Sequence, residues 1–248
     1  MQACIRACIS RTYALFMIIA GLQKTTLIDY PGKIAATVFL AGCNFRCGWC
    51  YSSELVLPEK IKNQPRISEK EFFDFLEQRK ELLDGIVICG GEPTVNKDLP
   101  DFIGKIKKLN YLAKLDTNGS NPKMLKQLID DKLIDYVAMD VKLPKEKYSR
   151  VFFDNTDIRD IEKSVELLKK SEIDFEFRTT IVPIIHKKED FLKIAEWIGG
   201  PKIKYYIQNF RAEKTINPEF ENIEPYPENY LLDIKKSISQ YFDTCDIR

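Results

Sequence analysis

From Ile34 onward the chain alternates short apolar runs with amphipathic stretches, and this alternation limits its possible folds more than any other feature. Ile34–Leu40 (IAATVFL) is a continuous apolar run, as expected of a strand buried on both faces. Similar runs recur at Gly85–Cys89, Tyr111–Leu115, Asp135–Met139, Phe175–Val182 and Lys204–Ile207. Between them, helices of 3.6-residue period fit Glu69–Leu83, Leu99–Lys108, Pro122–Lys132, Ile158–Lys169 and Glu189–Ile198. Ser68 and Glu71 give the first of these a capping-box start. Strands alternating with helices predict β-α units and a parallel sheet. Right-handed crossovers curl six such units toward a barrel or an open twisted sheet, and the pattern alone does not choose between them. After Arg211 the alternation stops: Pro218, Pro225 and Pro227 mark a loop, and Tyr230–Tyr241 reads as a terminal helix. The expectation is one domain over residues 17–215 with a tail over 216–248.

Residues 1–16 read differently. Arg6 and Arg11 precede an apolar stretch from Ala14 to Leu22, a loose imitation of a secretion signal. That stretch is about half of a bilayer span, and no small-residue cleavage site follows it. The segment is expected to be a disordered extension, or the product of an upstream start with Met17 as the working one. Cys4 and Cys8 have no third or fourth ligand nearby and read as incidental.

Composition narrows the chemistry. The 248 residues carry 38 Lys and Arg against 37 Asp and Glu, so no basic nucleic-acid footprint is indicated. A single histidine, His186, excludes sites needing two or more imidazoles. A Ser-His-Asp triad lacks its G-x-S-x-G elbow. The seven cysteines are odd in number, and three crowd into Cys43-Asn-Phe-Arg-Cys47-Gly-Trp-Cys50, which is poor geometry for a disulfide framework. Three thiolates after the first buried strand can instead surround one metal centre. Iron–sulfur clusters are usually held by four cysteines, so three would leave an iron with an open position. The alternative is zinc on these cysteines with a distant fourth ligand such as His186 or Cys89.

Polar, turn-forming residues follow each later apolar run, where a parallel barrel keeps its active site. They are Gly90-Gly91-Glu92-Pro93, Asp116-Thr117-Asn118-Gly119, Asp140-Val141-Lys142, Arg178-Thr179-Thr180 and Gln208-Asn209-Phe210-Arg211. Each alone has an ordinary reading: a tight turn, an Asn-Gly turn, a surface ion pair. Arg178, among buried strand residues, needs a partner and is either an architectural ion pair or a carboxylate clamp. Cys89 reads as a small core residue, and His186 as a solvated loop residue.

The C-x3-C-x2-C run, with an aromatic, Trp49, before its last cysteine, resembles the radical S-adenosylmethionine (SAM) superfamily over residues 21–215. The resemblance implies a partial (β/α)6 TIM-like barrel, open on one side, with a [4Fe–4S] cluster on Cys43, Cys47 and Cys50 and SAM chelating the fourth iron. It further implies that Gly90, Gly91 and Glu92 meet the SAM amino group and that Asp116 and Thr117 face SAM. Asp140, Lys142 and Gln208 would complete the cofactor site, and Trp49 would pack near the adenine or shield the cluster. Gly21-Leu-Gln-Lys-Thr-Thr-Leu-Ile-Asp-Tyr-Pro-Gly32 resembles the start of anaerobic ribonucleoside-triphosphate reductase activating proteins, within the glycyl-radical activating enzymes. The implied reaction is one-electron cleavage of SAM to a 5′-deoxyadenosyl radical, which abstracts hydrogen from a glycine of a partner enzyme. The implied partners are that glycyl-radical enzyme, whose loop would enter an open barrel mouth, and an electron donor such as flavodoxin or ferredoxin. A cytoplasmic location follows from an oxygen-sensitive cluster, with no nucleic acid or membrane involved. One departure stands out: where the family commonly has His-Asn-Pro-Glu after the third cysteine, this chain has Tyr51-Ser52-Ser53-Glu54. Two other readings remain: a radical SAM enzyme acting on a small molecule, like 7-carboxy-7-deazaguanine synthase, and a zinc-stabilised binding module.

Overall fold

A computed structural model describes residues 17–153 and 156–248, so the expectations for residues 1–16 lie outside the described residues. Among the described residues, eight strands form one sheet in sequential order. They are β1 (Ile19–Thr26), β2 (Ala35–Leu40), β3 (Gly85–Gly90), β4 (Leu112–Thr117), β5 (Tyr136–Asp140), β6 (Asp174–Ile181), β7 (Lys204–Asn209) and β8 (Thr244–Ile247). β1 runs antiparallel to β2, and every later pair is parallel. Strand order that never doubles back, with helices between strands, gives a partial α/β barrel whose two edge strands are β1 and β8.

The helices are α1 (Ser53–Val56), α2 (Pro58–Ile61), α3 (Glu69–Gln78), α4 (Leu99–Lys108), α5 (Pro122–Asp130), α6 (Ile158–Lys170), α7 (Lys188–Ile198) and α8 (Glu228–Ile238). Their starts are coded locally. The side chains of Ser68, Asn121 and Asp157 accept hydrogen bonds from backbone N–H groups in the first turns of α3, α5 and α6. The longer helices, α3 to α8, each bury apolar residues on one face; Phe72 of α3 stacks on Phe102 of α4 at 5.2 Å. Among the described residues, no helix is long and apolar enough to cross a membrane.

Strand alternation gives the sheet two unlike faces. Val38, Leu40, Ile86, Ile88, Ala113, Leu115, Val137 and Met139 join the main core beneath the helices. Ala35, Val87 and Tyr136 point the other way, into a small second cluster with Tyr30. Above that cluster the inner face turns polar, with Lys114, Asp116, Asp140, Glu176 and Arg178 on β4, β5 and β6. Two strands depart from the expected six. β1 includes Ile19–Leu22, part of the stretch that imitates a signal. β8 returns from the expected tail to pair with β7, Tyr205 opposite Cys245.

Candidate active site

The loop after β2 carries the three clustered cysteines, and neighbouring backbone fixes its path. Gly42 N–H donates to Leu55 O at 2.8 Å, Arg46 N–H to Val151 O at 2.9 Å and Cys50 N–H to Cys47 O at 3.0 Å. The Arg46 guanidinium donates to the carbonyls of Cys43 and Phe45, both at 2.7 Å. The glycine pair after β3 is explained by crowding against this loop. A Cβ on Gly90, whose φ is +132°, would lie 2.1 Å from Leu40 O, and one on Gly91 would lie 2.1 Å from Gly42 O.

Glu92 follows, 1% exposed. One carboxylate oxygen accepts from Thr94 N (3.1 Å), Thr94 Oγ1 (2.5 Å) and Thr117 Oγ1 (2.7 Å), and the other from Asn118 N (2.6 Å). Burial pushes its pKa up, while these donors pull it back. Four donors from two loops make Glu92 a cross-link between the ends of β3 and β4. Asn118 extends the link: its Nδ2 donates to Asn44 Oδ1 at 3.0 Å, and Asn44 donates to Ser120 Oγ at 2.8 Å. The cysteine loop is thereby tied to β4.

Across β4, β6 and β5 runs a chain of five charges. Lys114, 1% exposed, pairs with Asp116, and Arg178 donates to Asp116 at 3.1 Å and to Asp140 at 2.9 Å. Lys142 donates to Asp140 at 2.7 Å. Burial opposes ionisation of Asp140, but Arg178 and Lys142 together hold its carboxyl well below the usual range. Burial likewise works against the Lys142 charge, and Asp140 overcomes it and raises the pKa. Arg178 is thus the architectural ion pair of the two alternatives, bridging a pair of internal carboxylates.

Asp116, Arg178, Asp140 and Lys142 of this set line a cavity of about 240 Å³ at the carboxyl ends of the strands. Cys43, Cys47, Trp49, Cys50, Gly90, Gly91, Glu92, Asp116, Thr117, Asp140 and Lys142 all face it. Gln208, by contrast, is not among the lining residues, although its register partner on β6, Thr180, is. Cys89 packs against the second core cluster, as expected of a small core residue, and also faces the cavity, where burial pushes its thiol up to about 12. His186, expected in solvent, is fully buried. Its ring lies 6.1 Å from Trp49, which also meets Phe220 at 6.2 Å. Tyr51 and Ser52 complete the wall, and Tyr51 accepts a 2.8 Å hydrogen bond from Arg211 N–H while stacking on Phe210. Lys114 and Asn44 carry no sequence motif, and Tyr51 only a departure from the family pattern; the partners of Asn44 and Tyr51 are distant in the chain, while Lys114 pairs with Asp116 two residues on.

A family model described as "Radical SAM superfamily" matches residues 37–198, which hold the cysteine loop and the ends of β2–β6. The chain belongs to the radical SAM superfamily. A Methanocaldococcus jannaschii protein named "putative glycyl-radical enzyme activating enzyme" is 35% identical over 93% of this chain and 95% of its own length. The 7-carboxy-7-deazaguanine synthase of Methanopyrus kandleri is 29% identical over 53% of this chain and 56% of its own. Among solved structures, Streptococcus suis SuiB bound to S-adenosylmethionine shares the fold at a TM-score of 0.61 and 14% identity, over 83% of this chain. The chain spans about half (48%) of SuiB's length.

Radical SAM enzymes work with a [4Fe–4S] cluster and SAM. The cavity suits that pair chemically. Its three clustered thiols are soft donors of the kind that hold iron–sulfur clusters. Burial raises the pKa of all three, Cys47 to about 12, and a bound cationic metal centre would favour their thiolate forms. Among the described residues, no three His, Cys, Asp or Glu side chains converge on a single-ion site. All three clustered thiols line the same cavity. Of the two fourth ligands considered for zinc, His186 has both ring nitrogens engaged with backbone groups, whereas Cys89 faces the cavity.

Proposed function

We propose that this radical SAM enzyme is an activase, generating a glycyl radical on a partner enzyme with the cluster held by Cys43, Cys47 and Cys50. The observation that carries the reading is the cavity itself, where three thiols meet the Asp140–Lys142 pair in a chain similar nearly end to end to a protein named as an activating enzyme. Held by Cys43, Cys47 and Cys50, the cluster would supply the one-electron reduction of SAM on which hydrogen abstraction from the target depends. The protein's part is positioning and exclusion. Lys142 offers an ammonium to the SAM carboxylate, and Asp116 and Thr117 border the space for the nucleoside. Gly90 and Gly91 let the strand end approach the cysteine loop, and the Glu92 cross-link keeps both loops in place. Trp49 and Tyr51 wall the cavity. The Gly21–Gly32 segment, which forms β1 and the turn after it, supports an anaerobic ribonucleotide reductase as partner, with flavodoxin or ferredoxin as the electron source.

Anaerobic reconstitution tests this directly. The parent should bind about four irons per chain, and Cys47→Ala should lose them. With SAM, a reductant and the co-encoded reductase, electron paramagnetic resonance should show a glycyl-radical doublet. SAM cleavage with no protein radical would favour the small-molecule reading, which the similarity to 7-carboxy-7-deazaguanine synthase over half the chain supports. Stoichiometric zinc in place of iron would sink both.

A further inference from the structure

β5 ends at Asp140, and Val141 and Lys142 carry the chain on along the cavity wall. Beyond a strand end the sheet no longer satisfies the backbone, so the four polar groups of these two residues need other partners. Val141 N–H still donates to Arg178 O at 2.8 Å. The other three go to side chains. Thr179 Oγ1 donates to Val141 O at 2.7 Å, Lys142 N–H donates to Tyr148 Oη at 2.9 Å, and His186 Nε2 meets Lys142 O at 2.8 Å. The direction of the last bond follows from the other ring nitrogen. His186 Nδ1 lies 3.1 Å from Val182 N–H and must accept from it, which assigns the proton to Nε2.

Both side chains on Lys142 are fully buried and are themselves held. Tyr148 is packed between Phe152 at 5.7 Å and Trp197 at 6.1 Å. His186 touches Trp49 and Phe191, and its own carbonyl accepts from Tyr226 Oη at 2.9 Å. We propose that Tyr148 and His186 are positioning residues that clamp the backbone of Lys142 from both sides and so aim its ammonium into the cofactor cavity. A lysine side chain has four flexible bonds, and an unanchored backbone would add to that freedom. With the clamp closed, the ammonium keeps its 2.7 Å contact with Asp140. This inference rests on the reading that Lys142 serves SAM.

Reconstituted holoprotein tests it with Tyr148→Phe, His186→Leu, His186→Gln and Lys142→Met. Tyr148→Phe keeps the packing and removes only the acceptor of Lys142 N–H. It should speed hydrogen exchange at the Lys142 amide and weaken SAM binding about tenfold, with little change in melting temperature. His186→Leu should weaken SAM binding at least as much. His186→Gln should recover part of it, because an amide N–H can still donate to Lys142 O. Unchanged Lys142 exchange and SAM affinity in Tyr148→Phe and His186→Leu would overturn the clamp. A fall in melting temperature with SAM affinity intact would also overturn it, showing packing alone. The exchange readout is independent of the reading of Lys142. If Lys142→Met keeps full SAM affinity, that reading fails, and with it the purpose given to the clamp, whatever the exchange shows.

Discussion

Asp140 sits between two cations, with Arg178 Nε 2.9 Å from one oxygen and Lys142 Nζ 2.7 Å from the other. Removing an anion from so buried a set leaves its cations facing each other, which costs about 3 kcal/mol or more. Asp140→Asn should therefore lower stability by that order at pH 7 in thermal melts. The sign with pH follows from the depressed carboxyl. A folded pKa below the ordinary value of about 3.9 contributes stability that is complete above it and lost as pH falls toward the folded value. The gap between parent and Asp140→Asn should shrink below about pH 4; a constant gap would show that charge is not what Asp140 contributes. Little of this set was legible in the sequence. Asp140 and Lys142 could be read as post-strand residues on one side of the chain, but Lys114 looks like a stray charge inside an apolar run. Its role comes from Asp116 and from Arg178, which lies 64 residues away across β5.

At the scale of elements, the segment after β7 folds back over the cysteine loop. Ile216 N–H donates to Cys50 O at 3.1 Å and Asn217 N–H to Gly48 O at 2.9 Å, while Lys214 pairs with Glu54 at 3.3 Å. Phe220 closes against Gly48, where an added Cβ would lie 2.9 Å from the ring edge. Phe220 is buried beside Trp49 and Phe210 and has little room to yield. Gly48→Ala should therefore destabilise by about 1–3 kcal/mol, as overpacking does. Adding Phe220→Leu should recover part of that loss, and a double variant no better than Gly48→Ala would refute the contact. This strap was not legible because Pro218, Pro225 and Pro227 signal only a loop, and its contacts are backbone groups without a sequence signature. β2, β3 and β5 were legible as continuous apolar runs, and β4, β6 and β7 as shorter apolar stretches set between helical patterns. β8, with three half-buried residues and one exposed, has no such run, and three consecutive exposed residues, Gln23, Lys24 and Thr25, break up β1. The Tyr51 departure from the family pattern also becomes intelligible at this scale, as its hydroxyl anchors the start of the strap at Arg211.

Considered whole, the barrel has a polar interior that must be sealed where the sheet remains open, and β8 supplies the seal. Glu176 of β6 is 1% exposed and points to the inner face. Tyr136 Oη donates to it at 2.9 Å, and the Arg248 guanidinium reaches both its oxygens at 2.8 and 3.1 Å while lying 3.4 Å above the Tyr206 ring. Arg248 is placed there by its own N–H bonded to Ile207 O at 2.9 Å, so edge pairing and ion pairing depend on the same residue. A buried carboxylate stripped of its cation is costly, but the Arg248 side chain is 37% exposed and its charge is partly screened. Arg248→Met should thus cost about 2 kcal/mol, less than a fully buried pair would. Arg248→Lys should recover only part, because an ammonium cannot match the two-oxygen contact or the ring stacking. If the charge is what matters, pairing the change with Glu176→Gln should restore much of the stability, since no buried anion would remain. Equal melting temperatures for Arg248→Met and the double variant would mean that the ring contact and strand pairing, rather than the ion pair, hold this edge of the barrel.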